Sequence, residues 1–466
     1  PNTFLYNFLY DISFYNCLIK MPIKILDYSV ESLSDVAEFT KKIALENGAS
    51  SAEVDITVSS GKSVSVRLQK LETIEQQNDK ALTVTVYVGN KRGIASTSDF
   101  DSSAIKDCVL AACQIAKYTA EDKAFGLADP LLLAKGNKDL ELYHSWNVGE
   151  DTIINEALAC ENSALEFNKS INNSEGAQLN TSESLFIYAN SNGFVNGFPS
   201  SRYSLACSVL GGKDSSMQRD NAYTSARSYD DLKSPNEIGK EAASRTLKRL
   251  NPQKISTGVY PVIFEAPIAT SIISSLVSAV SGSNLYRENS FLLNSINTKV
   301  SSTLLTIEED PLLLRGNAST FFDDEGVALK KRKVVEEGLL KGYFLSSYSA
   351  RRLGMKTTGN AGGAHNLIIK DSNISFNDLV KKMNKGIIIT ELLGHGLNMI
   401  TGDYSRGAAG LWVENGKVQF AVEEITIASN IKDMLQNIQG IATDRYTNSG
   451  KYTGSILIEG MTVGSN

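Results

Sequence analysis

Two residues able to do chemistry, Glu391 and His395, stand four positions apart in the segment 386–396, directly after an apolar run. If this segment turns helically, both side chains lie on one face, where a carboxylate and an imidazole can bind a metal together. A zinc site needs at least a third protein ligand. The oxygen donors that follow in the sequence are Asp403, Glu423 and Glu424. A hydrogen-bonded pair or an interface pair is the alternative.

The next segment, Thr401-Gly-Asp-Tyr-Ser-Arg-Gly-Ala-Ala-Gly410, mixes glycines with polar side chains. Glycines allow the backbone to approach another chain or a ligand closely. Its candidate substrate-binding or interface residues are Asp403, Tyr404, Ser405 and Arg406. Arg406 would offer a planar cationic fork to a carboxylate. Alternatively, the glycines only shape tight turns and Arg406 pairs with Asp403 or a glutamate.

Two further patterns carry less chemistry. Serines recur in a helical pattern over residues 267–282, at Ser271, Ser274, Ser275, Ser278 and Ser281. No G-x-S-x-G elbow surrounds them and the chain has three histidines, so a solvated or partner-facing helix is predicted rather than a Ser/His/Asp triad. Gly362-Gly363 beside His365 lacks the Gly-Lys-Ser/Thr ending of a phosphate loop and is interpreted as a bend.

The elements that position these residues form an α+β pattern. Helical spacing near 32–48, 101–120 and 150–168, with alternating segments between 52 and 88 and between 185 and 209, predicts an N-terminal β-sheet with long helices on one face. Residues 257–466 are predicted to form a β-rich C-terminal domain with a buried or interface helix. Its turn pairs, Glu337-Gly338 and Asn415-Gly416, predict β-hairpins. The expected domains are 21–229 and 257–466, joined by a connecting helix within 230–256.

Residues 1–20 are rich in Phe, Tyr and Leu. They lack a basic region and carry Asp11 inside the apolar part, which argues against a signal peptide. We interpret them as an atypical N-terminal extension, with the ordinary chain starting at Met21.

Composition excludes several classes of partner. The 466 residues carry a net charge of −6 without a basic stripe, which argues against a nucleic-acid partner. No apolar run is long enough to span a bilayer. The five cysteines are scattered and odd in number, which argues against a disulfide framework and favours a reducing cytoplasm.

Several of these segments together resemble a known family. Residues 386–396 and 401–410, Trp412-Val-Glu-Asn-Gly416, and the segment 422–434 closely resemble the TldD/PmbA family, on its PmbA (TldE) side. The resemblance extends from Leu33 to Val463. It implies a two-subunit protease of unfolded peptides, in which TldD and TldE subunits act together in peptide-antibiotic maturation and antitoxin degradation. It also implies that the TldD subunit holds zinc.

The resemblance also locates the positions that bind zinc in TldD. There, an H-E-x-x-x-H helix follows a strand, and a cysteine lies in a Cys-Gly-Lys setting near the C-terminus. In this chain the helix motif falls on Ser274 to Ala279 and the cysteine on Ser449. Serine and alanine cannot replace two imidazoles and a thiolate around Zn²⁺, and Ser275 cannot replace the glutamate as general base. The chain is therefore expected to be the non-metal subunit, with no cofactor of its own and zinc in its TldD partner.

The expected role of this subunit is to form a heterodimer around a cavity and to bind extended peptide by β-augmentation. Glu391, His395 and the residues from Asp403 to Arg406 would line that cavity or the seam between subunits. Two alternatives stay open. One is an autonomous hydrolase that uses Glu391 and His395 or a serine. The other is a homodimeric peptide-binding protein without catalysis.

Overall fold

The computed structural model describes residues 22–213 and 216–465. The predicted extension at residues 1–20 lies outside the described residues. The described chain is α+β, as predicted, with a helix-covered N-terminal sheet and a β-rich C-terminal half.

The N-terminal half is built on one antiparallel sheet. Its strands are β1 (Ser51–Arg67), β2 (Lys70–Val88), β3 (Lys91–Thr97), β4 (Ile171–Asn190), β5 (Val195–Gly211) and β6 (Gln218–Ala226), in the order β3-β2-β1-β4-β5-β6. Leu68 and Gln69, both with positive φ, make the tight turn between β1 and β2. The alternating segments predicted between 52 and 88, at residues 52–58, 63–68, 71–76 and 81–88, are therefore parts of two continuous strands of 17 and 19 residues.

Four helices cover one face of this sheet. They are α1 (Val30–Glu46), α2 (Ser102–Tyr118), α3 (Glu150–Leu165) and α4 (Pro235–Lys248). Helix α1 begins at a capping box on Ser29, and α4 begins at a capping box on Ser234. In a capping box, side chains accept hydrogen bonds from backbone N–H groups that the first turn leaves free. Pro235 suits the first turn of α4 because proline has no N–H group to leave unpaired. Alternate apolar residues of the strands pack beneath them: Val54 and Ile56 under α1 and α2, and Leu179 under α3 and α4. Helix α4, predicted as a connecting helix, packs on α3, β5 and β6.

The C-terminal half contains two sheets. Its elements in chain order are β7 (Gly258–Phe264), α5 (Ala266–Ala279), α6 (Gly282–Tyr286), β8 (Ile307–Glu309), β9 (Arg332–Glu336), β10 (Leu339–Leu340), α7 (Ser347–Arg352), β11 (Leu367–Ile369), α8 (Phe376–Met383), β12 (Gly386–Leu393), β13 (Asp403–Glu414), β14 (Lys417–Asn430), α9 (Ile431–Gln436), β15 (Ile438–Ile441), β16 (Lys451–Tyr452) and β17 (Ile456–Ser465). The larger sheet has the order β14-β13-β12-β7-β17-β15, and β14 also pairs with β17. The smaller sheet has the order β10-β9-β8-β11-β16.

Helix α5 lies against the larger sheet, and its apolar face is fully buried around Ile272, Ile273 and Leu276. The hairpin turns have the predicted geometry: φ is 54° at Asn415 and 68° at Gly416, as a type I′ turn requires. No helix among residues 22–213 and 216–465 is long and apolar enough to cross a membrane.

The face of the first sheet away from the helices meets the C-terminal half. Aromatic side chains make this contact: Tyr188 and Phe194 from β4 and the turn after it pack in one cluster with Phe322 and Val327. The same sheet face also carries polar residues, because successive side chains of a strand point to opposite faces. Polar groups of the first sheet are thereby brought next to loops of the C-terminal half.

Candidate functional site

Glu391 and His395 do not share a helical face. Residues 386–393 form strand β12, which pairs with β7 on one side and β13 on the other, and a bulge separates Ile389 from Glu391. His395 lies exposed in the loop that follows Gly394. The helical interpretation is wrong because the apolar run at 387–389 is buried between two strands, a pattern that periodicity alone does not distinguish from a buried helix.

Glu391 instead belongs to a chain of alternating charges. Its Oε2 lies 2.6 Å from Nη2 of Arg249, and Arg249 also approaches Asp220 at 3.9 Å. Asp220 pairs with Arg245 at 3.2 Å, and Arg245 reaches Glu265 at 3.0 Å. Burial raises the pKa of Glu265, an effect that the positive charge of Arg245 opposes. The network joins α4 and β6 of the N-terminal half to β12 and the start of α5.

A cavity of about 320 Å³ opens beside this network, between the two halves of the chain. Its walls include Tyr223 from β6, Ile268 from α5 and Thr390 from β12, together with the paired charges. Because each arginine of the network already faces carboxylates, the cavity presents balanced charge rather than an open cation or anion site.

Tyr404 and Ser405 lie on opposite faces of β13. Tyr404 is 3% exposed within the core of the C-terminal half, and its hydroxyl has no hydrogen-bond partner among the described residues. Burial raises the pKa of Tyr404 to about 12, against the influence of the neighbouring Arg406 charge. Ser405 is exposed, and its backbone N–H donates to the carbonyl oxygen of Gly396 at 2.7 Å. Of these two predicted binding residues, Ser405 is the accessible one.

Arg406 does not pair with Asp403 or a glutamate, so that structural alternative is wrong in the described part of the chain. Arg406 donates from Nη2 to the carbonyl oxygen of Gly394 at 2.6 Å, while its Nε is buried without a partner. Asp403 is occupied elsewhere, because it accepts from Thr401 at 2.7 Å and from Asn430 at 3.2 Å. Neighbouring strand residues point to opposite faces, which separates Asp403 from Arg406.

The glycines of this segment serve contacts within the chain. A Cβ atom at Gly410 would overlap with the carbonyl oxygen of Ile388 on β12, and one at Gly396 would overlap with that of Ser405. These two glycines let neighbouring backbones approach each other. Their presence therefore has a structural explanation that needs no ligand.

The positions to which the resemblance assigns the zinc ligands of TldD carry no metal-binding side chains in this chain. The hydroxyls of Ser274 and Ser275 donate to the main-chain oxygens of Thr270 and Ser271 in the same helix, at 2.8 and 2.9 Å. Ala279 is buried and has no donor atom in its side chain. Ser449 lies in the loop before β16, a strand that contacts α5. Within residues 22–213 and 216–465, no group of three or more His, Cys, Asp and Glu side chains could hold a metal.

Residues that sequence reasoning missed include an acidic group between the two halves. Glu53, on β1, accepts hydrogen bonds from Tyr87 and Tyr188, each at 2.8 Å. Burial, with the charges of Glu53 and Asp324 nearby, raises the pKa of Asp55 to about 8. The alternation in Ala52-Glu-Val-Asp-Ile56 already places both acids on the face opposite the apolar residues. What the sequence does not reveal is that the C-terminal half covers this face.

Known proteins resemble the chain along nearly its whole length. Three adjacent family models match it: the PmbA/TldA metallopeptidase domain 1 at residues 52–116, the central domain at 143–250 and the C-terminal domain at 257–465. A metalloprotease PmbA homolog of Haemophilus influenzae is 46% identical over 94% of this chain and 97% of its own. Metalloprotease PmbA of Escherichia coli is 44% identical over 93% and 97%. The crystal structure of TldE from Thermococcus kodakarensis, 21% identical, shares the fold with a TM-score of 0.80 over 93% of this chain and 100% of that one.

Proposed function

Because the chain belongs to the PmbA/TldD metallopeptidase family, we propose that it is the non-metal subunit of a heteromeric TldD/TldE-type peptidase. In that assembly the metal chemistry belongs to a TldD-type partner, and this chain binds unfolded peptide and shapes the cavity. Metalloproteases named TldD homologs, from Buchnera aphidicola and Haemophilus influenzae, match about 45% of this chain at 23–25% identity, which supports the existence of related partner subunits.

Helix α5 is the observation that supports this assignment most strongly. By the resemblance it corresponds to the zinc-binding helix of TldD, but the hydroxyls of Ser274 and Ser275 donate to carbonyl oxygens of their own helix and the last helical position is alanine. A zinc site requires thiolate, imidazole or carboxylate ligands in tetrahedral arrangement. Replacing all of them by serine and alanine leaves a helix that can pack and shape a surface but cannot hold the ion.

The first sheet offers a surface for extended peptide. Strand β3 pairs with β2 only at residues 82–88, so within the described part of the chain the remainder of β2 pairs with β1 alone and has an open edge. An open edge carries unpaired backbone N–H and C=O groups to which another strand can add. Residues 70–79 of β2 are also exposed, as an edge available to peptide or to a subunit must be.

We further propose that the subunit acts in a reducing cytoplasm. The cysteines within the described residues, Cys108, Cys113, Cys160 and Cys207, are free and buried. Burial raises the pKa of the Cys108 thiol, which keeps it in the unreactive protonated form. This arrangement fits cysteines used as small apolar side chains.

The deciding experiment is elemental metal analysis of the purified chain, alone and mixed with a TldD-type partner, together with a peptide-cleavage assay. We expect zinc and cleavage only in the mixture and in amounts set by the partner. A partner variant with alanine at its zinc-binding histidines is the matched control and is expected to abolish both. About one zinc per chain in the lone protein would overturn the assignment. Peptide binding without any gain of cleavage over the partner alone would instead favour the homodimeric binding protein.

A further inference from the structure

Two arginines of the N-terminal half converge on one loop of the C-terminal half. Arg202 lies on β5, and Arg227 follows the end of β6. Nη2 of Arg202 donates to the carbonyl oxygen of Asn317 at 2.7 Å, and Nη2 of Arg227 donates to the same oxygen at 3.1 Å. Arg202 also donates from Nη1 to Oδ1 of Asn317 at 2.6 Å. Because they share one acceptor atom, the two guanidinium groups must lie close to each other.

Neither guanidinium has a carboxylate partner within the described residues. Their protein acceptors are neutral: the backbone and side chain of Asn317, the hydroxyl of Ser225, and the carbonyl oxygens of Ser201 and Gly316. The arginines of the charge network differ, since Arg245 and Arg249 both form ion pairs. Burial lowers the pKa of Arg227 to about 10, and the nearby charge of Arg202 lowers it too.

Two adjacent positive charges out of water are costly unless an anion or a dipole compensates them. With its pKa at about 10, the Arg227 side chain still carries its charge at neutral pH. Carbonyl and hydroxyl dipoles compensate a guanidinium less well than a carboxylate does. The pair is therefore suited to recruit an anion from outside the chain.

Donors remain available for such an anion. A guanidinium carries five N–H groups, and the bonds of Arg227 to Gly316 and Ser201 are long, each at 3.4 Å. Both arginines line a cavity of about 320 Å³. Ser182 lies directly opposite Arg202 in the pairing of β4 with β5, and it is exposed. Hydroxyls beside two cationic forks are the groups that bind an oxyanion.

We propose that Arg202, Arg227 and Ser182 form an oxyanion site that binds the terminal carboxylate of a peptide. The planar fork of arginine matches a carboxylate in shape. The choice of a peptide as the carboxylate source rests on the proposed function, whereas the anion site itself rests on the uncompensated arginine pair. Asn317 also donates to the carbonyl oxygens of Thr447 and Ser449, so a bound carboxylate lies near the loop that replaces the zinc-binding cysteine.

The test measures binding to the full-length chain without a partner, by calorimetric titration. The probes are N-acetyl-tetraalanine with a free carboxylate, the same peptide with a C-terminal amide, and inorganic phosphate as competitor. We expect the amide to bind at least about tenfold more weakly, since it loses charge-assisted hydrogen bonds. Added salt is expected to weaken binding of the carboxylate peptide. Comparing the two peptides on the unaltered chain needs no variant that might misfold.

Variants then assign the site. Arg202→Gln and Arg227→Gln are each expected to weaken binding of the carboxylate peptide by about tenfold, and Arg202→Lys is expected to restore part of it because charge returns without the fork. The matched control is Arg219→Gln, because Arg219 is an exposed arginine on β6 that pairs with Glu175. It is expected to bind as the unaltered chain does.

Several outcomes would overturn the proposal: equal binding of the carboxylate and amide peptides, unchanged binding in folded Arg202→Gln and Arg227→Gln variants, or phosphate binding more tightly than the carboxylate peptide. None of these results bears on peptide cleavage with a TldD-type partner. Cleavage in the mixture without carboxylate binding would contradict the oxyanion site but leave the proposed function standing. Carboxylate binding by a chain that itself holds zinc would contradict the non-metal assignment but leave the oxyanion site standing.

Discussion

Arg249 and Glu391 form an ion pair of 2.6 Å that joins the N-terminal half of the chain to its C-terminal half. Arg249 caps the C-terminal end of α4, and Glu391 lies near the end of β12. Their side chains are 16% and 31% exposed, so the pair is partly shielded from water. The Glu391 carboxylate therefore has a cationic partner within the chain.

Arg249→Ala removes the positive charge that faces Glu391 and Asp220. It is therefore expected to destabilise the chain by about 2 kcal/mol, a value between those typical of exposed and of buried ion pairs. Urea unfolding would measure the loss. Lys248→Ala, at the exposed neighbouring position, is the control and should change the free energy of unfolding by less than about 0.5 kcal/mol. If the effects of Arg249→Ala and Glu391→Ala simply add in the double variant, the two residues are not coupled.

The acidic group on β1 predicts a dependence of stability on pH. With its pKa raised to about 8 by burial and by Glu53 and Asp324, Asp55 keeps a proton in the folded chain that the unfolded chain releases above roughly pH 4. Its contribution to stability is fully present below that pH and is lost as pH rises toward 8. The free energy of unfolding should fall by at most about 1.4 kcal/mol per pH unit from this residue.

Asp55→Asn removes the titrating group, so the variant is expected to lose stability less steeply between about pH 5 and about pH 8. Urea unfolding at several pH values would measure the slope. Asp79→Asn, at an exposed position of β2, serves as the control and should keep the slope of the unaltered chain. A slope that is the same in Asp55→Asn and in the unaltered chain would contradict the prediction.

Local signals explain which parts of the fold could be predicted from the sequence. The turn pair Asn415-Gly416 specifies its hairpin through the positive φ that both residues adopt. The cap and first turn at Ser234-Pro235 specify the start of α4. The continuity of β1 escaped prediction because alternation stops at Ser59 to Lys62. Those residues are held by pairing with both β2 and β4 rather than by apolar packing.

The candidate sites were harder to predict because their members come from distant parts of the chain. Glu391 was identified as a chemically able residue, but its partner Arg249 follows the end of helix α4 in the other half. Arg202 and Arg227 carry no local motif. That their acceptors among the described residues are neutral is visible only once the C-terminal loop at Asn317 is in place. Residue type predicts capacity for chemistry, whereas topology decides which groups meet.

Arg406 allows a test of the prediction that residues 403–406 line a peptide-binding cavity. One hydrogen bond to the carbonyl oxygen of Gly394 holds its guanidinium, and no carboxylate of the described residues pairs with it. If it binds peptide carboxylates, Arg406→Ala should raise the KM for peptide cleavage in a mixture with a TldD-type partner by about tenfold. Lys417→Ala, at the exposed hairpin end, is the matched control. Cleavage at the level of the unaltered mixture would leave Arg406 a purely structural role.

Gly410 offers a test of the structural role of the glycines in β13. A Cβ atom there would overlap with the carbonyl oxygen of Ile388 in the neighbouring strand, which cannot move without disturbing the β12–β13 pairing. Gly410→Ala is therefore expected to destabilise the chain by about 2 kcal/mol or more, as overpacking does. Gly464→Ala in β17 is the control, because a Cβ atom there meets only Thr426 at 3.9 Å. Urea unfolding of both variants measures the difference. If Gly410→Ala keeps full stability but loses peptide cleavage with a TldD-type partner, the glycine instead allows close approach of a ligand.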